Sequence, residues 1–165
     1  MPLEATTPSD REIKVVRTFN APRQLIWDAH TKPELVQRWL LGPPGWSMPE
    51  CEIDLRVGGA YRYKWVSDEN GSYFTSSGVH TEVVPMERIV TTECMDLSGL
   101  GMEIPPGESV NTLMLSEASG KTTLTVVMRF PTKEHRDGAL QSGMTGGMEQ
   151  SYERLDGIAA QHARG

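Results

Sequence analysis

The sequence predicts an α+β fold in which a mostly antiparallel sheet carries its helices on one face. Apolar and polar residues alternate with a period of two through the middle of the chain, which is typical of half-buried strands. Helical periodicity is confined to the two ends of the chain. Consecutive strands with the helices kept apart from them indicate a sheet that is covered by the helices on one side.

The chain opens with one strand and two short helices. Alternation predicts the strand over residues 11–19, with Arg17 on its apolar side. Pro22 opens the first helix, because a proline loses no hydrogen bond in the first helical turn. The second helix is predicted to begin at Thr31, whose spacing to Glu34 matches a capping box. A Gly-Pro-Pro-Gly sequence then ends it.

Six further strands follow, so about seven are predicted in all. Turn residues separate them, and threonine and valine dominate the last strand, as β-propensity favours. The six strands are predicted over residues 50–56, 61–65, 76–84, 88–95, 110–117 and 121–130.

The last segment is helical. A short helix is predicted over residues 133–140, ahead of a long helix with one apolar stripe. The stripe consists of Met144, Met148, Tyr152, Leu155, Ala159 and His162. Glycine inside a helix costs about 1 kcal/mol relative to alanine. Either the helix therefore starts near Thr145, or Gly146 and Gly147 allow a close approach to the sheet.

Length and composition bound the architecture and the partners. We expect one domain over residues 1–165, with a core of about 12–162 and a loose end over the first nine residues. The net charge is −6, and residues 89–120 carry five acidic and no basic side chains, which argues against nucleic acid and anionic lipid as partners. No apolar run could span a membrane, and no signal sequence is visible, so we expect a cytoplasmic protein with reduced cysteines.

Six short segments resemble one family. The resemblance is to the SRPBCC superfamily, in the branch named after the activator of the heat-shock protein 90 ATPase, and it covers about residues 12–162. The segments are Phe19-Asn20-Ala21-Pro22; Ile26-Trp27-Asp28-Ala29 with Trp39; Ile53-Asp54-Leu55-Arg56-Val57-Gly58-Gly59; Glu82-Val83-Val84-Pro85 with Arg88-Ile89-Val90; Thr123-Leu124-Thr125; and Gly143-Met144 with Gly147 and Leu155.

The resemblance implies a helix-grip fold, a curved antiparallel sheet around a long C-terminal helix with a cavity between them. The strand order that it implies places Cys51 and Cys94 three strand spacings apart, about 14 Å, which is too far for a disulfide. Members of this superfamily bind lipids, polyketides or hormones, some cyclise polyketides, and the namesake stimulates a chaperone. Because one fold serves several functions, the function must be argued from the site.

A metal or catalytic site has little support in the sequence. His80 and Glu82 are two residues apart on a predicted strand and should share one face. They could begin a zinc or iron site, but the other histidines fall at or near helices, so we expect no metal and no cofactor. An acid or base role for either side chain inside a cavity stays open.

A cavity between the sheet and the last helix is the better-supported site. Tyr61, Tyr63 and Trp65 form an aromatic stripe on one strand, and methionine side chains adapt to irregular apolar ligands. A close-packed core is the alternative interpretation of the same residues. The candidate ligand-binding residues are Trp39, Trp46, Tyr63, Trp65, His80, Glu82, Met144, Met148 and Tyr152.

The sequence thus predicts a protein that binds a small apolar molecule without a cofactor. The loop over residues 96–109, with Met102 and Ile104 on it, could act as a lid. Two alternatives stay open: a co-chaperone or protein-binding module that uses the acidic window, and a cyclase or hydrolase that uses the cavity. The namesake activators carry an additional domain that this chain lacks, which weakens the first alternative. The oligomeric state, including a homodimer, is also left open.

Overall fold

The computed structural model describes residues 2–103 and 107–164. Within these ranges the chain forms eight β-strands and four α-helices, with a short 3₁₀ turn at Ser98–Leu100. The strands are β1 (Glu4–Thr6), β2 (Glu12–Phe19), β3 (Trp46–Ile53), β4 (Ala60–Ser67), β5 (Tyr73–Val84), β6 (Arg88–Asp96), β7 (Ser109–Ala118) and β8 (Lys121–Arg129). The helices are α1 (Arg23–Thr31), α2 (Pro33–Trp39), α3 (Lys133–Gln141) and α4 (Met144–Arg164).

The strands form one antiparallel sheet in the order β1-β2-β8-β7-β6-β5-β4-β3. The inner face of this sheet carries Ile13, Val15 and Phe19 of β2, all fully buried, and it packs against α1 and α4. The α+β class, the curved antiparallel sheet and the long C-terminal helix of the helix-grip fold are confirmed. The additional strand is β1, which pairs with residues 14–16 of β2, so the expectation of a loose N-terminal end is wrong for these residues.

The first two helices form close to where the sequence places them, but the second has a different start. Helix α1 begins directly after Pro22. Thr31 is the last residue of α1, and its hydroxyl donates to the carbonyl oxygen of Trp27 at 2.9 Å. It therefore cannot cap α2, which begins at Pro33 without a side-chain cap. The predicted capping box is wrong.

Helix α4 includes Gly146 and Gly147 in its first turn. Gly143 precedes it with a φ of +81°, a left-handed conformation that glycine adopts readily. Gly147 lies against the loop after α2, where a Cβ atom would be 3.6 Å from Cδ of Pro43. The close approach is therefore made to this loop rather than to the sheet. Of the predicted stripe, Tyr152, Leu155 and Ala159 are buried, whereas His162 is exposed.

A buried arginine fixes α4 to the sheet. Arg17 is 3% exposed and donates two hydrogen bonds to Asp156 at 2.8 Å and two to Glu149 at 2.9 and 2.6 Å. Its guanidinium also lies 4.8 Å from the ring centre of Phe19, at cation–π distance. These contacts set the position of α4 on the inner face, and with it one wall of the site below.

The two cysteines are unpaired. Cys51 lies on β3 and Cys94 on β6, with β4 and β5 between them. The predicted separation by three strand spacings is confirmed. Burial raises the pKa of the Cys51 thiol to about 11, and the nearby carboxylates of Glu34 and Glu52 act in the same direction.

Candidate functional site

A cleft opens at one end of the inner face, where three parts of the chain meet. The loop after α2 forms one side, the ends of β3, β4 and β5 form the second, and the first turns of α4 form the third. The volume of the cleft is about 340 Å³. Its lining consists of Leu40, Leu41, Gly42, Pro43, Trp46, Trp65, Phe74, Met144, Gly147, Met148 and Ser151.

Three aromatic rings make the sheet side of the cleft rigid. Trp65 stacks on Phe74, its neighbour on β5, with ring centres 4.8 Å apart. Trp46 meets the same phenyl ring edge-on at 5.3 Å. The indole Nε1 of Trp65 donates to the carbonyl oxygen of Leu40 at 2.7 Å, which ties this wall to the loop after α2. The wall therefore consists of aromatic rings that contact one another and are tied to the loop.

The helix side of the cleft is apolar as well. Met144 and Met148 are one turn apart on α4, and Gly147 leaves room beside them for the loop. The hydroxyl oxygen of Ser151 accepts the amide hydrogen of Gly42 at 2.8 Å, and Arg154 donates to the carbonyl oxygen of Gly42 at 2.7 Å. Because these polar groups are hydrogen-bonded to one another, a molecule in the cleft would contact mainly apolar surface.

The structure brings together four of the nine predicted residues: Trp46, Trp65, Met144 and Met148. Trp39 and Tyr152 lie in the core, 2% and 4% exposed, and stack on each other with ring centres 5.7 Å apart. Neither side chain lines the cleft.

Tyr63 extends the aromatic wall away from the cleft. Its ring centre is 5.7 Å from that of Trp65 on one side and 5.0 Å from that of Tyr61 on the other. Burial raises the pKa of the Tyr63 hydroxyl above its ordinary value, so the hydroxyl stays neutral at physiological pH. The three rings form a continuous aromatic row along β4, which starts at the cleft.

His80 and Glu82 do not share a face, so this expectation is wrong. A β-bulge interrupts the register between them, and strict alternation fails across a bulge. His80 is 6% exposed, and its ring centre lies 6.0 Å from that of Tyr61. The side chain of Glu82 is 45% exposed and pairs with Arg88 at 3.3 Å. Of the two, only His80 belongs to the inner face.

His80 is held in its neutral form. Burial lowers its pKa below the ordinary value of 6.5, and the charge of Asp54 opposes this shift only in part. Its Nδ1 lies 3.2 Å from the hydroxyl oxygen of Thr91 on β6, whereas its Nε2 is buried and has no hydrogen-bond partner among the described residues.

Sequence reasoning missed several lining residues, and for one of them a signal existed. Phe74 continues the alternation of β5 two residues before Ser76, where we predicted this strand to begin. Starting the strand earlier would have placed Phe74 opposite Trp65. Leu40, Leu41 and Pro43 carried no such signal, because only the packing of their loop against α4 brings them to the cleft.

The described residues contain neither a metal-ligand cluster nor a membrane-spanning helix. Within residues 2–103 and 107–164, no group of three or more His, Cys, Asp or Glu side chains could hold a metal ion. No helix in this part of the chain has the length and apolar character of a membrane span. For the proposed lid, Met102 is 53% exposed and does not line the cleft, and Ile104 lies outside the described residues.

The sheet, the long terminal helix and the cleft between them define a helix-grip protein of the SRPBCC superfamily. The sequence profile of the family described as Activator of Hsp90 ATPase homolog 1-like protein matches residues 20–160. The chain therefore belongs to this family. No curated protein matched the sequence.

Solved structures agree with this assignment. A Rhodobacter sphaeroides protein is 28% identical and superposes with a TM-score of 0.88, with 98% of this chain and 99% of that one covered. A Chromobacterium violaceum protein is 26% identical with a TM-score of 0.77, covering 92% of this chain and 98% of that one. A Mycobacterium smegmatis protein, 20% identical with a TM-score of 0.82 and coverage of 95% and 96%, shares the fold.

Proposed function

We propose that this protein binds a small, mostly apolar molecule in the cleft between the loop after α2, the aromatic wall and α4. One observation carries the proposal: a cleft of about 340 Å³ whose walls are aromatic rings and methionine side chains. Small-molecule sites are mostly apolar and typically enclose about 300–1,000 Å³. Trp65, Phe74 and Met148 would supply most of the contact area.

Two features support binding over a close-packed core. The polar groups beside the cleft already form hydrogen bonds within the protein, as Ser151 does with Gly42. A ligand therefore does not need to replace these hydrogen bonds. Met144 and Met148 are only partly buried although they pack against the core. Thioether side chains that are left half-covered can adjust to an apolar occupant.

The proposal is tested by filling the cleft. Met148→Trp should lower the affinity for the uncharged dye N-phenyl-1-naphthylamine at least ~10-fold, because the larger side chain takes the ligand's space, with little loss of stability. A close-packed site would instead lose about 1–3 kcal/mol on this change. The matched control is Met102→Trp, the same replacement at an exposed position outside the lining. A strongly destabilised Met148→Trp together with no dye binding by the unmodified protein would reject the proposal.

A chaperone partner is the second candidate, favoured by the family description, which names an activator of the Hsp90 ATPase. Four acidic residues of the window, Asp96, Glu103, Glu108 and Glu117, would supply the interaction face, whereas Glu93 lies on the inner face and accepts a hydrogen bond from Ser76. In this case, adding the protein to purified Hsp90 should raise the rate of ATP hydrolysis. An unchanged rate at saturating protein would reject this candidate and leave the first untouched.

A further inference from the structure

Three polar side chains lie at one level of the inner face, on three adjacent strands. His80 on β5 pairs with Thr91 on β6, and Thr91 pairs with Asn111 on β7. Directly paired residues point to the same face. Asn111 also pairs with Met128, a core residue, which places the set on the inner face. We call His80, Thr91 and Asn111 the polar row.

The polar row has hydrogen-bonding atoms that the protein leaves unused. The Nε2 atom of His80 and the Oδ1 atom of Asn111 are both buried, and neither has a partner among the described residues. His80 as a whole is 6% exposed. Buried polar atoms are nearly always hydrogen-bonded, and each exception requires an explanation.

Among the described residues, the nearby hydroxyls of Ser76 and Tyr61 do not supply the missing partners. The Ser76 hydroxyl donates its one hydrogen to Glu93 at 2.9 Å, so the Tyr61 hydroxyl, 3.0 Å away, must be the donor to Ser76. This chain of hydrogen bonds is complete in itself. It also places Glu93 on the same face as Thr91 and two residues along the strand, so that their Cα atoms are about 7 Å apart.

The polar row is connected to the cleft by the aromatic row along β4. Trp65, in the cleft wall, contacts Tyr63, Tyr63 contacts Tyr61, and the ring of Tyr61 lies 6.0 Å from that of His80. Four residues of a strand separate Trp65 from Tyr61, which is about 13 Å. The cleft lining ends at Trp65, and the rings of Tyr63 and Tyr61 fill the space beyond it. An elongated molecule with its apolar part in the cleft therefore reaches the polar row with its far end by displacing these two rings.

We propose that the polar row receives an uncharged hydroxyl group at the end of an elongated apolar ligand. This inference rests on the proposed function of the cleft. A hydroxyl group both donates and accepts, so it can donate to the oxygen of Asn111 or form a hydrogen bond with His80 in either tautomer. A ligand carboxylate would be repelled by Glu93 and could not donate to Asn111.

The test compares three straight-chain compounds of similar chain length that differ in the polar group at one end. Displacement of bound N-phenyl-1-naphthylamine by 1-decanol, decanoate and decyltrimethylammonium gives their affinities. We expect 1-decanol to bind at least ~10-fold more tightly than either charged compound. Asn111→Leu removes the acceptor and should weaken 1-decanol binding by about tenfold, the effect of one buried hydrogen bond, without changing the affinity for the dye.

The matched control is Thr112→Leu, because Thr112 is the next residue on β7 and points to the opposite face. It should leave all affinities unchanged. His80→Phe is a second variant, which removes the other unpartnered atom. Should either variant fail to fold, the ranking of the three compounds by their affinity for the unmodified protein decides whether the inference holds. Equal affinities for the three compounds, or tighter binding of a charged one, would overturn the inference. If the dye still binds in that case, the proposed function of the cleft is retained. If neither the dye nor any compound binds, the proposed function fails, and this inference fails with it.

Discussion

Arg17 is a charged side chain buried between the sheet and α4. Removing one partner of a buried ion pair typically costs about 3–5 kcal/mol, because the other charge is left without compensation. The carboxylates of Glu149 and Asp156 are 20% and 44% exposed, so water can hydrate them in part. We therefore expect Arg17→Met to lower the free energy of unfolding by about 3 kcal/mol, the low end of that range.

The control is an arginine with an exposed partner. Arg56 pairs with Asp54 at 2.9 Å, and the side chains are 72% and 51% exposed. Exposed pairs contribute little, so Arg56→Met should change the free energy of unfolding by less than about 1 kcal/mol. Urea unfolding of both variants makes the comparison. Equal losses would show that the burial of Arg17 does not determine its contribution.

Glu149 makes the stability depend on pH. Burial of its carboxylate acts to raise the pKa, but hydrogen bonds from Arg17 and from the amide of Leu3 outweigh burial, so its pKa lies below the ordinary value of 4.5. A lowered pKa in the folded state stabilises the fold above pH 4.5, and this stabilisation is lost as the pH falls through the lowered value.

We expect the free energy of unfolding to decrease below pH 4.5, and Glu149→Gln to decrease less steeply over the same interval. Urea midpoints measured from pH 7 to pH 3 test this. Identical slopes for the two proteins would show that Glu149 does not contribute to the acid sensitivity.

Helix α4 has one buried face and one solvent-exposed face. Leu155 is fully buried in the core cluster, and Glu153 is exposed on the opposite side. Leu155→Ala should lower the free energy of unfolding by about 2–5 kcal/mol, whereas Glu153→Ala should change it by less than about 0.5 kcal/mol. Equal denaturation midpoints at unchanged slope would mean that the helix packs through a different face.

The sequence predicted an element correctly where its apolar and polar alternation alone determines which side chains are buried. The alternation of β2 put Arg17 on the inner side with Ile13 and Val15, and the structure confirms it. The bulge between His80 and Glu82 could not be predicted, because it depends on how β5 and β6 pair across the sheet. Its effect is large, since it moves every residue after it to the other face.

The candidate site was predictable only in part. Aromatic and methionine residues stand out in the sequence, and four of them, such as Trp65 and Met148, do line the cleft. Trp39 has the same chemistry but lies in the core, because its indole Nε1 donates to the carbonyl oxygen of Ala29 inside the α1–α2 unit. Residue type alone does not distinguish a cleft wall from a core. The distinction needs the position of the loop after α2 against α4.

The position of the loop after α2 against α4 also explains how the fold produces a cleft. Arg17 fixes α4 to the sheet, and Ser151 and Arg154 fix the loop at Gly42 to α4. Trp65 fixes the same loop to the sheet through Leu40. Hydrogen bonds thus connect all three sides of the cleft, and a preorganised opening of this kind would reduce the cost of binding a ligand under the proposed function.

The most direct test of the cleft uses two adjacent glycines of α4. Gly147 faces the cleft and the loop, with space for a Cβ atom 3.6 Å from Pro43, whereas a Cβ atom at Gly146 would meet nothing within 4 Å. Leucine favours a helix at either position, so neither change should unfold the protein. The measurement is the affinity of Gly147→Leu and Gly146→Leu for N-phenyl-1-naphthylamine. The binding account predicts at least a ~10-fold loss for Gly147→Leu, which fills the cleft, and an unchanged affinity for Gly146→Leu. Equal affinities for the two variants would contradict it.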